Sequence, residues 1–253
     1  MAALIFENLT LGYNRHPAVH HLSGRIEEGT LLAVVGPNGA GKSTLFRGIV
    51  GALKPLSGAV KREGVAAREI AYLPQIAEID RSFPITVFDF VAMGLWHRRG
   101  SLGAIGHRER LAVEGVLESV GLTGFEARPI GTLSGGQMQR ILFARLMLQD
   151  ARIIVLDEPF SAIDAGTSAD LLAIVRRWHA EGRTVLVALH DYEIVRAHFP
   201  DVLLLARAPV AWGATAEVLT GENLRTARQM CEAFDDAAHA CAAGAVPPTS
   251  RVA

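Results

Sequence analysis

Apolar positions along the chain fall into two kinds of pattern. Short unbroken runs such as "LLAVV", "IIVL", "TVLVAL" and "VLLLA" predict strands around residues 31 to 35, 152 to 156, 184 to 189 and 201 to 206. Further strands are expected around 3 to 9 and 70 to 73. Runs without polar alternation suit strands covered on both faces, as in a largely parallel sheet. Between several of them the period changes to that of a helix. "SADLLAIVRRWHAEG" puts Leu171, Leu172, Val175 and Trp178 on one face and stops at Gly182, a C′ glycine. Alternating strand and helix defines an α/β fold.

From Gln75 to about Asp150 the strand signal disappears. Two amphipathic helical patterns replace it, "ITVFDFVAMGLWHR" and "HRERLAVEGVLESVGL", joined by the glycine-rich "RGSLGAIG". This predicts an all-helical insert at about 76–149, flanked by core segments at about 1–75 and 150–230 of one domain. No internal repeat is visible. The tail at 231–253 is rich in Ala, Gly and Pro without apolar periodicity and predicts a frayed or disordered end.

Composition narrows the class. With 253 residues, half of them apolar, the chain can bury one large core or a core with an inserted subdomain. Its net charge of −1 gives no global basic field to draw it to nucleic acid or anionic lipid, so any polyanion must be met locally. Cys231 and Cys241 lack metal-type spacing and fit a reducing compartment, the cytoplasm. "MAALIFENLTLGY" has no basic n-region and alternates like a strand, unlike a signal peptide. The apolar runs are far shorter than the roughly 18 residues of a membrane span, so the chain is not expected to cross a bilayer alone.

The strongest chemistry is "AVVGPNGAGKST", which places G-x-x-x-x-G-K-S directly after an apolar strand and before a helical segment. That is the context a P-loop requires. Gly36, Pro37, Asn38, Gly39, Ala40 and Gly41 form a loop whose N–H groups turn inward around phosphate oxygens. Lys42 supplies charge, Ser43 can ligate Mg²⁺, and Thr44 continues into the helix. "RIIVLDEP" ends a strand in two acids: Asp157 is placed to hold the Mg²⁺ shell and Glu158 to polarise water for attack on the γ-phosphate. The blander reading is that both cap the next turn. His190 also ends a strand, where open α/β sheets bind ligands, which favours a γ-phosphate contact over a structural role.

"LSGGQMQR" opens a helix with two glycines, each weakening it by about 1 kcal/mol relative to alanine. Ser134 and Gln137 form a capping box that any intervening residues would satisfy. Gly135 and Gly136 therefore suggest backbone N–H groups laid bare for a second anion. Together with the P-loop and "VLDEP", "LSGGQ" resembles the nucleotide-binding subunit of ATP-binding cassette (ABC) transporters, over nearly the whole chain to about residue 230. The resemblance implies a P-loop NTPase cassette with a RecA-like mixed sheet core and an inserted helical subdomain. It makes Tyr13 of "LGYN" the aromatic that stacks on adenine, and Gln75 of "YLPQ" the catalytic-site glutamine linking Mg²⁺ to the helical part. Asp164 of "SAID" falls in the loop at the dimer interface, and His190 is the switch histidine. In that family two subunits join head to tail, so that Ser134, Gly135, Gly136 and Gln137 of one close over ATP on the P-loop of the other. With every such position intact, a homodimer with two working sites is the simpler assembly.

With no membrane segment of its own, such a subunit would work from the cytoplasmic side of the inner membrane, peripherally, on a separate permease dimer served by an extracytoplasmic solute-binding protein. "FPITVFDFVAMG" resembles the permease-coupling segment of subunits for zinc and manganese uptake, with Phe83, Pro84 and Phe88 facing the permease. Iron-chelate and cobalamin importers differ mainly there, and the plainer reading is a core helix with Pro84 near its start. The cargo metal would not bind this chain. His16, His20 and His21 are expected on a solvated loop and strand, and Cys231, His239 and Cys241 form only a loose cluster. A soluble cassette ATPase acting on ribosomes or DNA is the rival class, but two cassettes or long coiled-coil inserts are missing. A switch without turnover is disfavoured by Glu158.

Overall fold

The computed structural model describes residues 1–76, 79–96 and 105–235. The unbroken apolar runs become β3 (Leu31–Val35), β6 (Ile153–Asp157), β7 (Thr184–Leu189) and β8 (Asp201–Ala206). With β5 (Ile70–Leu73) and β9 (Ala208–Ala214) they build a six-stranded sheet in the order β5-β6-β7-β3-β8-β9, parallel except for β9. Both faces of this sheet are covered, which is why its strands show no polar alternation. On one face, α1 (Lys42–Val50) lies between the sheet and a second, three-stranded antiparallel sheet. Leu45, Phe46 and Ile49 of the helix meet Leu32, Val34, Leu186 and Leu203 there.

That second sheet, ordered β2-β1-β4, joins β1 (Ala2–Tyr13), β2 (His16–Glu27) and β4 (Ser57–Arg62). Sequence reading found only part of β1. The pairing of β1 with β2 shifts register four times, and Asn8 and His21 both stand at positive φ, 43° and 50°, joined by an Asn8 Oδ1 to His21 Nδ1 bond of 2.8 Å. Each shift breaks the two-residue period by which a half-buried strand is recognised. β4 and β9 hide for another reason: both are only partly covered and carry no buried apolar run. His20, expected on a solvated element, is a correction, because only 7% of it is exposed. β2 carries it in under the P-loop, where its amide donates to the Arg207 carbonyl at 2.6 Å. Burial, reinforced by His21 and Arg207, holds the imidazole below its ordinary pKa.

The other face of the large sheet packs against helices. Between β5 and β6 the described residues contribute α2 (Val87–Ala92), α3 (His107–Ser119), α4 (Gly135–Gln149), short 3-10 turns and an isolated bridge between Thr86 and Pro129. The Thr86 hydroxyl caps α2 by accepting from the Asp89 amide at 3.1 Å, so Pro84 lies ahead of the helix, outside its first turn. These helices share one apolar cluster with the sheet: Val87, Phe90, Val113, Leu117 and Ile141 continue into Ala33, Leu156 and Val187. Phe143 of α4 stacks on Trp178 of α5 (Ala165–Ala180) at 5.6 Å between ring centres. Gly182, at φ 80°, follows α5 as the C′ glycine. The chain continues through α6 (Tyr192–His198), α7 (Thr215–Val218) and α8 (Gly221–Asp235). Most of the "RGSLGAIG" linker, the last residues of "GLWHR", and the tail with His239 and Cys241 lie outside the described residues.

Candidate functional site

Strand order assembles the site. β6, β7 and β3 are neighbours and parallel, so their carboxyl ends share one edge, with Val35 opposite Leu189 and Asp157 opposite Ala188. The P-loop leaves β3, the Asp157–Glu158 pair closes β6, and His190 follows β7 on the exposed rim. β5 adds Gln75 two residues beyond its end, beside β6. Four stretches far apart in sequence thus meet where open α/β sheets hold ligands.

Within the loop, the backbone dictates glycine at two points. Gly36 has φ 155°, and a Cβ there would stand 1.9 Å from the Leu205 carbonyl oxygen. Gly41 has φ 95° and would meet the Ala18 oxygen at 2.5 Å. Gly41 is also the N-cap of α1 and brings no side chain to its first-turn amides, which leaves that helix end to an outside acceptor. Lys42 is buried, its Nζ donating to the Gly36 and Pro37 carbonyls at 2.9 and 3.2 Å. Desolvation holds its ammonium below the usual lysine range, against the opposing pull of Glu158 and then Asp157. A half-desolvated cation beside uncapped amides fits a polyphosphate. The cleft is about 340 Å³ and is lined by Ala18, residues 38–44, Gln75 and Glu158. Ala18, delivered by the unforeseen β2, is a lining residue that no sequence signal marked.

Oxygen donors gather beside the cradle. Gln75 Nε2 lies 3.5 Å from Ser43 Oγ, and Asp157, 1% exposed, accepts from the Tyr72 hydroxyl at 3.4 Å. A hydroxyl, an amide and a carboxylate are the hard ligands Mg²⁺ takes alongside substrate phosphates. Glu158 sits at φ 51°, a left-handed backbone that costs a non-glycine residue of order 1–3 kcal/mol. Its amide donates to Ala188 O at 3.2 Å, and the Ser161 hydroxyl donates to its Oε2 at 3.4 Å. The neighbouring strand holds this backbone in place, and the Ser161 bond restrains the carboxylate. Tyr13 stands apart from the cleft lining, 44% exposed, its hydroxyl accepting from Arg47 Nη1 at 3.0 Å.

Residues 134–137 do not line that cleft. The Ser134 hydroxyl accepts from the Gln137 amide at 3.2 Å and Gln137 Oε1 from the Ser134 amide at 3.0 Å, so the capping box is formed. Neither glycine between them has positive φ. A Cβ on Gly135 would meet its nearest neighbour, Ala162 O, at 3.7 Å, and one on Gly136 would meet Thr167 Oγ1 at 3.5 Å, both ordinary contacts. The chain's own packing therefore has room for a Cβ at both positions. Gly136→Ala is expected to keep the denaturation midpoint or raise stability by up to about 1 kcal/mol. A clear fall in that midpoint would show that the fold itself demands the glycine. Asp164 borders the same corner and caps α5, its carboxylate accepting from the Thr167 amide at 2.9 Å and hydroxyl at 2.8 Å. Those bonds hold the carboxyl below its usual pKa.

A glycine-rich loop leading into an uncapped helix over a buried lysine, with a hydroxyl, an amide and two carboxylates beside it at the carboxyl edge of a mixed sheet, is the constellation of a P-loop ATPase of the α/β class. The chain belongs to the ABC transporter family, whose sequence profile matches residues 19–161. It is 39% identical over 242 residues to a manganese transport system ATP-binding protein of Listeria monocytogenes, covering 94% of this chain and 98% of that one. A zinc transport system ATP-binding protein of Treponema pallidum is 40% identical over 232 residues, 89% of this chain and 86% of that one. Among solved structures, an inward-facing ABC transporter assigned to the metal-chelate type superposes with a TM-score of 0.79 at 30% identity, covering 90% of each chain. The ADP conformation of an ATP-binding cassette, MJ1267, shares the fold with a TM-score of 0.76 at 24% identity, covering 90% of this chain and 99% of that one. The protein is an ABC-type ATPase that binds ATP and powers transport.

Proposed function

We propose that this ATPase drives uptake of manganese or zinc, working as a homodimer that closes on two ATP molecules against a dimeric membrane permease fed by an extracytoplasmic solute-binding protein. The metal rests on the names of relatives at 36–40% identity, which are manganese, zinc or metal transport proteins. The head-to-tail assembly rests on one observation: Gly135 and Gly136 clear a helix N-terminus that their own chain has room to cover. A partner's nucleotide gives that clearance a purpose. Holding the closed form at 99:1 from an open 99:1 takes about 5.5 kcal/mol of preference for ATP, within reach of several charge-assisted hydrogen bonds at each of two sites.

In this reading Ser43, Gln75 and Asp157 would hold Mg²⁺, which would supply charge neutralisation at the phosphates. Glu158 accepts the proton of the attacking water and His190 contacts the γ-phosphate. Lys42 and the amides of residues 39–44 carry the remaining charge. Asp164 faces the partner while capping α5. Residues 76–149 form the helical subdomain that relays between nucleotide and permease, and residues 1–75 and 150–230 form the core. Phe83, 62% exposed, and Pro84 offer the docking surface, whereas Phe88 is half-buried under the Arg110 guanidinium at 4.9 Å. The subunit sits peripherally on the cytoplasmic face, and no helix among the described residues is long and apolar enough to cross a membrane.

Tyr13 stacks on adenine through its ring, and the hydroxyl bonded to Arg47 is not needed for the stack. Tyr13→Ala is expected to raise the Kd for ATP about tenfold, as loss of one base-aromatic stack does, and Tyr13→Phe to leave it nearly unchanged. Equal binding by the Ala variant, measured by calorimetry, would remove Tyr13 from the site. The transport reading is tested by capturing the permease with the tagged subunit and measuring ATP-driven uptake of Mn²⁺, Zn²⁺ and a ferric chelate into vesicles. Accumulation of the chelate alone would move the protein to the iron-chelate importers, and no accumulation of any would remove the importer reading.

A further inference from the structure

Arg81 has no role in the sequence patterns. It follows Asp80, whose carboxylate accepts from the Ser82 amide at 2.9 Å and hydroxyl at 2.6 Å, fixing a tight turn. From that turn the guanidinium spans 52 residues of sequence, Nη2 donating to the carbonyl of Leu133. Leu133 is buried and immediately precedes the Ser134 cap, which has extended φ and ψ of −65° and 167°. The two segments are joined further along. Ile130 donates to the Ile85 carbonyl at 3.1 Å, and Val87 and Phe88 donate to Arg128 and Glu126 at 2.9 Å each. A Cβ on Gly131 would lie 2.8 Å from the Arg81 oxygen, so the backbones also touch. Between the Arg81 and Ile85 anchors stand the exposed Phe83 and Pro84.

We propose that Arg81 is a positioning residue for the second phosphate site: by holding the Leu133 carbonyl it sets the direction in which α4 presents its first-turn amides, and through residues 83–88 it ties that direction to the permease-facing surface. The inference rests on the head-to-tail reading. The peptide between Leu133 and Ser134 is the pivot on which the cap, and the amides it orders, turn. A charged donor on its carbonyl is a stronger restraint than a neutral one. Displacing Phe83 moves a segment bonded at both ends to the loop that carries this pivot.

The test uses a hydrolysis-blocked background, Glu158→Gln, with and without Arg81→Met, which keeps an apolar stem and loses the donors, or Arg81→Lys, which keeps a donor. ATP-driven dimerisation is followed by analytical ultracentrifugation, and nucleotide affinity of the monomer with a fluorescent ATP analogue. Arg81→Met is expected to raise the ATP concentration for half-maximal dimerisation about tenfold, the effect of losing one charged hydrogen bond. Monomer affinity stays at the parent's value, and Arg81→Lys recovers most of the loss. Dimerisation of Arg81→Met at the parent's ATP concentration would overturn the positioning role. So would loss of monomer affinity together with thermal stability, which marks a purely structural residue. A Glu158→Gln parent that stays monomeric with ATP would instead bring down the head-to-tail reading and this inference with it.

Discussion

Replacing Glu158 with Gln will lower ATP turnover by about 10²–10⁴-fold, the usual contribution of a positioned general base, while leaving nucleotide binding in place. Gln keeps the size of the side chain but cannot take the proton from the attacking water. It can still accept the Ser161 hydroxyl bond, so the left-handed backbone at this position stays supported. The γ-phosphate then persists, and in the proposed assembly it holds two subunits together. Sizing chromatography is expected to show a dimer with ATP and a monomer with ADP. A variant that turns over ATP at the parent's rate would remove Glu158 as the base, and a monomer under every nucleotide would remove the joint.

Replacing Lys42 with Ala will abolish ATP binding, and turnover with it. The ammonium lies over the Gly36 and Pro37 carbonyls and is already disfavoured by desolvation before any phosphate arrives. A polyphosphate adds counter-charge to that of Glu158 and Asp157 at a buried cation, so the contact is worth more than one at the surface. For the parent, nucleotide at a hundred times Kd stabilises by about 2.7 kcal/mol. In a chain of this length that is a rise of roughly 5–10 °C in Tm. For Lys42→Ala the rise disappears, while the Tm without nucleotide changes little, because the lost carbonyl bonds are offset by relief of the desolvated charge. A preserved ATP-induced shift in calorimetry would place the phosphates elsewhere.

The readings that worked share a physical cause. A parallel strand covered on both faces, such as β3, is apolar at every position, and a tight strand-to-helix loop must place glycine where a Cβ would strike backbone, as at Gly36 and Gly41. Both constraints act within a few residues, so both are written locally. β2 failed to register because its pairing shifts register four times with β1 and its alternation is lost at each shift. His20 is buried with it, and its amide bonds to Arg207, a residue far along the chain that no local pattern points to.

By itself the sequence determined the α/β class, the glycine-rich strand-to-helix loop, the acidic pair at a strand end and the glycine-cleared helix mouth, because each is a short pattern set by neighbours along the chain. Only the tertiary structure decided that β6, β7 and β3 lie side by side and so bring Gln75, Asp157, Glu158 and His190 to one edge. It also decided that Gly135 and Gly136 have space their own fold does not use, and that Arg81 reaches Leu133. Strand order, clearance and a bond spanning 52 residues are relations between distant segments, fixed by which apolar faces find each other, and no local pattern of residues encodes them.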